Sequence, residues 1–223
     1  MTTTERSSDD LLYAVLRSPR LVQLRDRIEA TLEEEQARRE QFYETVREDQ
    51  KAEFINGEVV VQSPARLRHT DVKDELLTLL KTFVKSRGQG FVGAEKMMIS
   101  LSRNDYEPDI CYFTEAKARL FTGDQTRFPA PDLIVEVLSP STEQIDRTIK
   151  FEDYAAHGVS EYWLVEPETE TVEQYVLSQG RYELAMKSRT GMLASVAIPG
   201  FEIPVRAIFD KEENLKALRA ILS

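Results

Sequence analysis

Asp132-Leu133-Ile134-Val135-Glu136-Val137-Leu138-Ser139-Pro140-Ser141-Thr142 is the stretch on which the fold turns. Leu133 to Leu138 is apolar on both faces of an extended chain, as expected of a strand at the centre of a sheet. Glu136 breaks that run. An ionised carboxylate in such a place is costly unless it is paired or bound to a metal. One explanation is a buried Arg or Lys partner, or a position at the strand end. The other is a second acid nearby. Asp109, after Pro108 and ahead of Ile110-Cys111-Tyr112-Phe113, is that acid. Two acids on neighbouring strands facing one cleft would hold one or two divalent cations. Such cations polarise a phosphoryl oxygen and lower the pKa of bound water.

Working outward, Thr142 to His157 has helical spacing and Gly158 ends it; a strand follows over Glu161 to Val165. On the N-terminal side, strands are expected over Phe91 to Leu101, Pro108 to Phe113 and Asp132 to Leu138. Before them Thr70 to Ser86 reads as a helix, with Val72, Leu76, Leu79, Leu80 and Phe83 on one side and Gly88 and Gly90 closing it. Glu53 to Gln62 reads as a hairpin about Asn56-Gly57, a strong two-residue turn signal. Thr171 to Leu177, Arg181 to Met186 and Leu193 to Ile203 read as further strands, and Asn214 to Leu222 as a final helix. The expected class is α/β: a mixed sheet flanked by helices, with an N-terminal helical extension.

That extension occupies residues 1–50, and the remaining domain residues 51–223. Ser18-Pro19 is a good helix start, and Leu21, Leu24, Ile28 and Leu32 recur at helical spacing. One long helix or two consecutive ones are expected from about 18 to 48. The apolar stripe either packs on its own domain or serves as a dimerising arm.

Composition narrows the chemistry. The 223 residues carry a net charge of −10 and two histidines, and Cys111 is the single cysteine. No intramolecular disulfide is possible, and no zinc cage of His and Cys can be assembled. A metal would be held mainly by oxygen, which points to magnesium, manganese or calcium. The acidic balance disfavours broad coating of nucleic acid but leaves room for a local basic groove. No apolar run is long enough to span a bilayer, and Met1 to Asp10 lacks the pattern of a secretory signal. A soluble cytoplasmic protein is expected. No Gly-x-Ser-x-Gly sequence supports a serine hydrolase.

Pro108-Asp109, the Asp132–Thr142 stretch, Ala52-Glu53-Phe54-Ile55-Asn56-Gly57-Glu58, His69 after Ser63-Pro64, and Gly158-Val159-Ser160-Glu161-Tyr162-Trp163 together resemble the Uma-two family of the PD-(D/E)xK nuclease superfamily. The resemblance covers roughly residues 40–170. It implies a restriction-endonuclease-like α-β-β-β-α-β core and a divalent-metal-dependent endonuclease acting on DNA, with magnesium or manganese as cofactor. Asp109, Glu136 and the backbone carbonyl of Val137 are the implied metal ligands. The superfamily's lysine, two residues beyond the acid, falls here on Leu138. Lys150 is the implied replacement, on a helical face shared with Asp146 and Tyr154, with Lys96 in reserve. Lys150→Ala should then cost activity but little stability. The alternative for Lys150 is an exposed pair with Asp146. Glu53 either completes the metal site or is a solvated strand residue; His69 touches a phosphate or caps its helix; His157 has no active role. Restriction-type enzymes that cut two strands suggest a homodimer. The acidic charge and Leu138 also fit a catalytically inactive nucleic-acid or protein binding module, since fold does not establish activity.

Overall fold

The computed structural model describes residues 8–47 and 49–223. Met1 to Ser7, read above for a leader, and Glu48, the end of the expected first helix, lie outside the described residues.

The chain opens with α1 (Ser8–Leu16), which the sequence pattern did not suggest, and α2 (Leu21–Thr45). Ser18-Pro19 lies in the turn between them. The Ser18 hydroxyl accepts the Arg20 N–H, but the N-cap of α2 is Arg20, without a side-chain cap. Next come β1 (Ala52–Ile55) and β2 (Glu58–Val61), joined at Asn56 and Gly57, both with positive φ (50° and 85°). That is the geometry an Asn-Gly hairpin turn requires. α3 (Leu67–Arg87) begins three residues earlier than its periodicity indicates and ends on Gly88 in the left-handed region.

The expected strand from Phe91 to Leu101 is two strands in two sheets: β3 (Gly90–Ala94) and β4 (Met98–Ser100). Glu95 and Lys96, at φ 39° and 57°, turn the chain between them. β5 (Asp105–Tyr106), β6 (Ile110–Thr114), α4 (Glu115–Ala118), β7 (Arg127–Phe128) and β8 (Leu133–Val137) follow. The helix expected over 142–157 is broken at Thr148 into α5 (Glu143–Arg147) and α6 (Ile149–Ala156). Then come β9 (Glu161–Glu166), β10 (Thr171–Ser178), β11 (Arg181–Ser188), a small hairpin of β12 (Met192–Ala194) and β13 (Glu202–Pro204), a 3-10 turn and α7 (Lys211–Leu222).

The main sheet has the order β11-β10-β9-β8-β6-β3, with β8 and β9 parallel and the other neighbours antiparallel. The second sheet runs β2-β1-β5-β4-β7. Alternation along the central strands divides the core. Leu133, Val135 and Val137 face α3 and α7, with Leu76, Leu80 and Ile221; Ile134 and Leu138 face α6 and the second sheet, with Tyr106, Tyr154 and Tyr162. α3, β3, β6, β8, α5–α6 and β9 form the α-β-β-β-α-β core, so the fold is restriction-endonuclease-like. The C-terminal half of α2 seats Phe42 against Ala52, Phe54 and Met98, whereas Ile28 and Leu32 are exposed.

Candidate active site

Strand alternation decides where the acids point. Glu136 lies between Ile134 and Leu138 and shares their face, toward α6. Asp109 enters β6 on the face of Cys111 and Phe113, the same side of the sheet. Each acid is tied to the other's backbone. The Val137 N–H donates to Asp109 Oδ2 at 2.9 Å, and the Asp109 N–H donates to Glu136 Oε2 at 3.3 Å. Both side chains are almost fully buried.

Lys150, on α6, meets Glu136 Oε1 at 3.0 Å, Glu53 Oε1 at 3.0 Å and Asp146 Oδ1 at 3.1 Å. The Tyr154 hydroxyl donates to Glu136 Oε1 at 3.3 Å. Lys150, Asp146 and Tyr154 thus share one face, but an inward one; Lys150 is 1% exposed. Burial opposes its charge, yet Glu136, Glu53 and Asp146 outweigh that and hold it well above the usual lysine range. It is a fixed cation, not a proton acceptor. Deleting it would strand three buried carboxyls, so the expectation of an almost unchanged stability in Lys150→Ala is corrected by this environment. Glu53 is no solvated strand residue: it is buried and also accepts the Glu107 N–H at 2.9 Å and the Gln62 amide at 3.1 Å.

Asp109 has partners that the sequence reading missed or misplaced. Lys51 Nζ lies 2.9 Å from its Oδ1, and His69 Nε2 lies 3.2 Å from its Oδ2. Burial would raise the Asp109 carboxyl, but His69 and Lys51 carry it well below the usual range. His69 sits inside the first turn of α3 and does not cap it; Arg66 is the N-cap residue. Lys96 turns away to the Gln50 carbonyl, and Glu95 pairs with Lys73 rather than Lys96. His157 bonds Ser102 and pairs with Asp153, away from the acids. Glu107 was not singled out either. It is buried beside this group, its Oε2 has no hydrogen-bond partner, and burial raises its carboxyl.

The acids form the floor of a cleft of about 940 Å³. Its walls carry Lys51, Arg66, Arg68 and Lys96 as bases, and the hydroxyls of Ser139, Ser141 and Thr142. Arg68 pairs with Glu168, also on the cleft wall.

Does this donor set fit a divalent cation? Among the described residues no three His, Cys, Asp or Glu side chains converge as a ready-made cage. Magnesium, however, is commonly held by one or two carboxylates, with waters and substrate phosphates completing its shell. Charge also favours the fit. Among the described residues, the five carboxyls of Glu53, Glu107, Asp109, Glu136 and Asp146 meet three ammonium groups: Lys51 and Lys150 in direct ion pairs, and Lys96 acting on Glu107. Burial pushes the Glu136 carboxyl up to about 8 against the pull of Lys150, with Asp146 and Asp109 adding to the rise. A pocket so rich in carboxyl oxygens suits a hard cation.

An α-β-β-β-α-β core with acids at the ends of two adjacent central strands defines a class, the restriction-endonuclease-like nuclease fold. A crystal structure described as a "putative nuclease belonging to DUF820" from Anabaena variabilis ATCC 29413 superposes with a TM-score of 0.66; the match covers 79% of this chain and 96% of that one at 19% identity. The chain belongs to the Uma2 family of the PD-(D/E)xK superfamily: the family profile, described as "Putative restriction endonuclease", matches residues 39–206. Two relatives come from Synechocystis sp. (strain ATCC 27184 / PCC 6803 / Kazusa). The uncharacterized protein sll1609 is 31% identical over 128 residues, 56% of this chain and 72% of that one. The uncharacterized protein slr1290 is 29% identical over 132 residues, 58% of this chain and 67% of that one. Among the described residues no helix is long and apolar enough to cross a membrane.

Proposed function

We propose that this protein is a divalent-metal-dependent endonuclease that hydrolyses phosphodiester bonds in DNA. The observation that carries the reading is the reciprocal tie between Asp109 and Glu136 at the floor of an open cleft. Asp109, Glu136 and the backbone carbonyl of Val137 would hold magnesium or manganese, which when bound supplies a polarised phosphoryl oxygen and a more acidic water.

The chain's own groups prepare the rest. Lys150 stays protonated among its carboxylates and fixes Glu136 and Glu53 in place; Tyr154 does the same from the next turn of α6. Glu53 supports the site through Lys150 and Gln62. His69 orients Asp109. Arg66, Arg68 and Lys96 on the walls supply the positive charge that a phosphate backbone needs. We place the enzyme in the cytoplasm, and propose that it acts as a homodimer whose contact includes the exposed Leu11, Leu16, Val22, Ile28 and Leu32 of α1 and α2.

A second reading has a specific observation behind it. Leu138 occupies the superfamily's lysine position as a core residue, and Lys150, although it borders the cleft, is 1% exposed and engaged by three carboxyls. Both suit a nuclease fold kept as a nucleic-acid or protein binding module. One experiment separates the two. Supercoiled, linear and single-stranded DNA are incubated with purified protein in Mg²⁺ or Mn²⁺, beside an Asp109→Ala/Glu136→Ala double variant. Cleavage by the wild type alone is expected. Equal cleavage by both proteins marks a contaminant, and none by either favours the binding module.

A further inference from the structure

Lys51 and Lys150 hold the two central acids in different ways. Lys150 is enclosed by three carboxylates. Lys51 reaches one carboxylate, from the segment just ahead of β1, and 22% of its side chain is open to the cleft. Its backbone is anchored, because its carbonyl accepts the Gln62 N–H at 3.0 Å. Its four-carbon stem is free to turn.

A second acceptor is buried behind this segment. Glu107 lies close to Ala52, the residue next in the chain after Lys51, and its Oε2 is buried without a partner. A buried carboxylate oxygen with no donor is costly. An ammonium group is the partner that would satisfy it: Lys96, whose charge bears on Glu107 most, is engaged by the Gln50 carbonyl, and Lys51 is the next.

We propose that Lys51 is a displaceable counter-ion: its ammonium competes with the divalent cation for Asp109, and Glu107 receives it once displaced. The proposal rests on the reading of Asp109 as a cation ligand. It gives Lys51 and Glu107, which no motif singles out, a positioning role at the site. The lysine keeps Asp109 neutralised and in place without a metal, and its transfer to Glu107 spares the cation a positive neighbour at contact distance.

The test is calorimetric titration of the full chain with Mn²⁺, each variant first shown to be folded by its circular dichroism melt. Lys51→Met removes the competitor and should bind Mn²⁺ at least about tenfold more tightly than wild type. Lys51→Arg keeps the charge and should stay close to wild type. Lys51→Gln replaces the methionine variant if that one does not fold. Glu107→Gln removes the second seat. It should weaken Mn²⁺ binding several-fold in the wild-type background and leave it unchanged in the Lys51→Met background. A purely structural role for Glu107 would weaken both alike, and that result would overturn the second seat. Equal or weaker binding by Lys51→Met, with Asp109→Asn abolishing binding, would overturn the competition and leave the cation reading standing. Absence of Mn²⁺ binding in both wild type and Lys51→Met would remove the cation reading itself, and the proposal with it.

Discussion

Arg39 and Lys150 are both buried cations surrounded by oxygen, and they sit in very different company. Arg39 meets one acid. Its Nε and Nη2 donate to the two Asp105 oxygens at 2.6 and 2.9 Å, Nη2 also reaches the carbonyls of Leu101 and Asn104, and Nη1 donates to the Ser102 carbonyl. Asp105 also accepts from Tyr43 and Ser100. Charge closes there, and the planar fork matches its carboxylate. The group fastens α2 to the second sheet. Around Lys150 and Lys51 the acids outnumber the bases, and Glu107 Oε2 has no hydrogen-bond partner. A pair that is neutral and fully bonded has nothing left to bind. In the function proposed above, the acid-rich pocket at the floor of the cleft takes a further cation. Burial does not separate the two clusters, because both are buried; the balance of charge does.

The largest effect expected from this contrast is on stability at Arg39. Arg39→Ala leaves Asp105 buried without its counter-ion, and should cost about 3–5 kcal/mol in denaturant unfolding. A loss under about 1 kcal/mol would mean that α2 is not integral to the domain. Lys150→Ala belongs in the same range, for it too strands buried carboxyls.

The smaller effect carries the sharper test. Glu136→Gln replaces a carboxyl that burial already pushes up to about 8, so it takes little charge from the cluster at neutral pH. Without added metal, stability should change by no more than about 0.5 kcal/mol or should rise. A loss above about 2 kcal/mol would show that the Lys150 cluster is a closed structural pair like that of Arg39.

Much of the architecture could be read from the residues. The two-faced apolar run around Glu136, the Asn56-Gly57 turn and the heptad-like face of α3 all have strong local causes. The breaks were harder to see. Glu95 and Lys96 take positive φ without being glycine, so nothing in the sequence announces that β3 and β4 part into different sheets. The kink at Thr148 leaves the helical spacing of Asp146, Lys150 and Tyr154 intact and is invisible to it. The acid signal was legible but not selective. Glu161 also sits in an apolar strand, yet it is a staple: it accepts from Trp163, Gln174, Ser195 and the N–H groups of Val196 and Ala197, and so binds the C-terminal hairpin to the main sheet. Only its partners distinguish it from Glu136. Lys51 and Glu107 escaped notice because both lie outside periodic elements. The hairpin and the β5–β6 turn bring them together across more than fifty residues. His69 was noticed, but its place at a helix start suggested a cap rather than a ligand for Asp109.

The central claim is that the acid-rich cluster is a cation site. Anomalous diffraction from crystals of the wild-type protein soaked in Mn²⁺ tests it most directly. The account predicts a peak within coordination distance of Asp109, Glu136 and the Val137 carbonyl, absent in Glu136→Gln crystals, with the Lys51 ammonium moved off Asp109. Occupied Mn²⁺ elsewhere in the crystal, with Asp109 still on Lys51 and no peak at the acids, would contradict it.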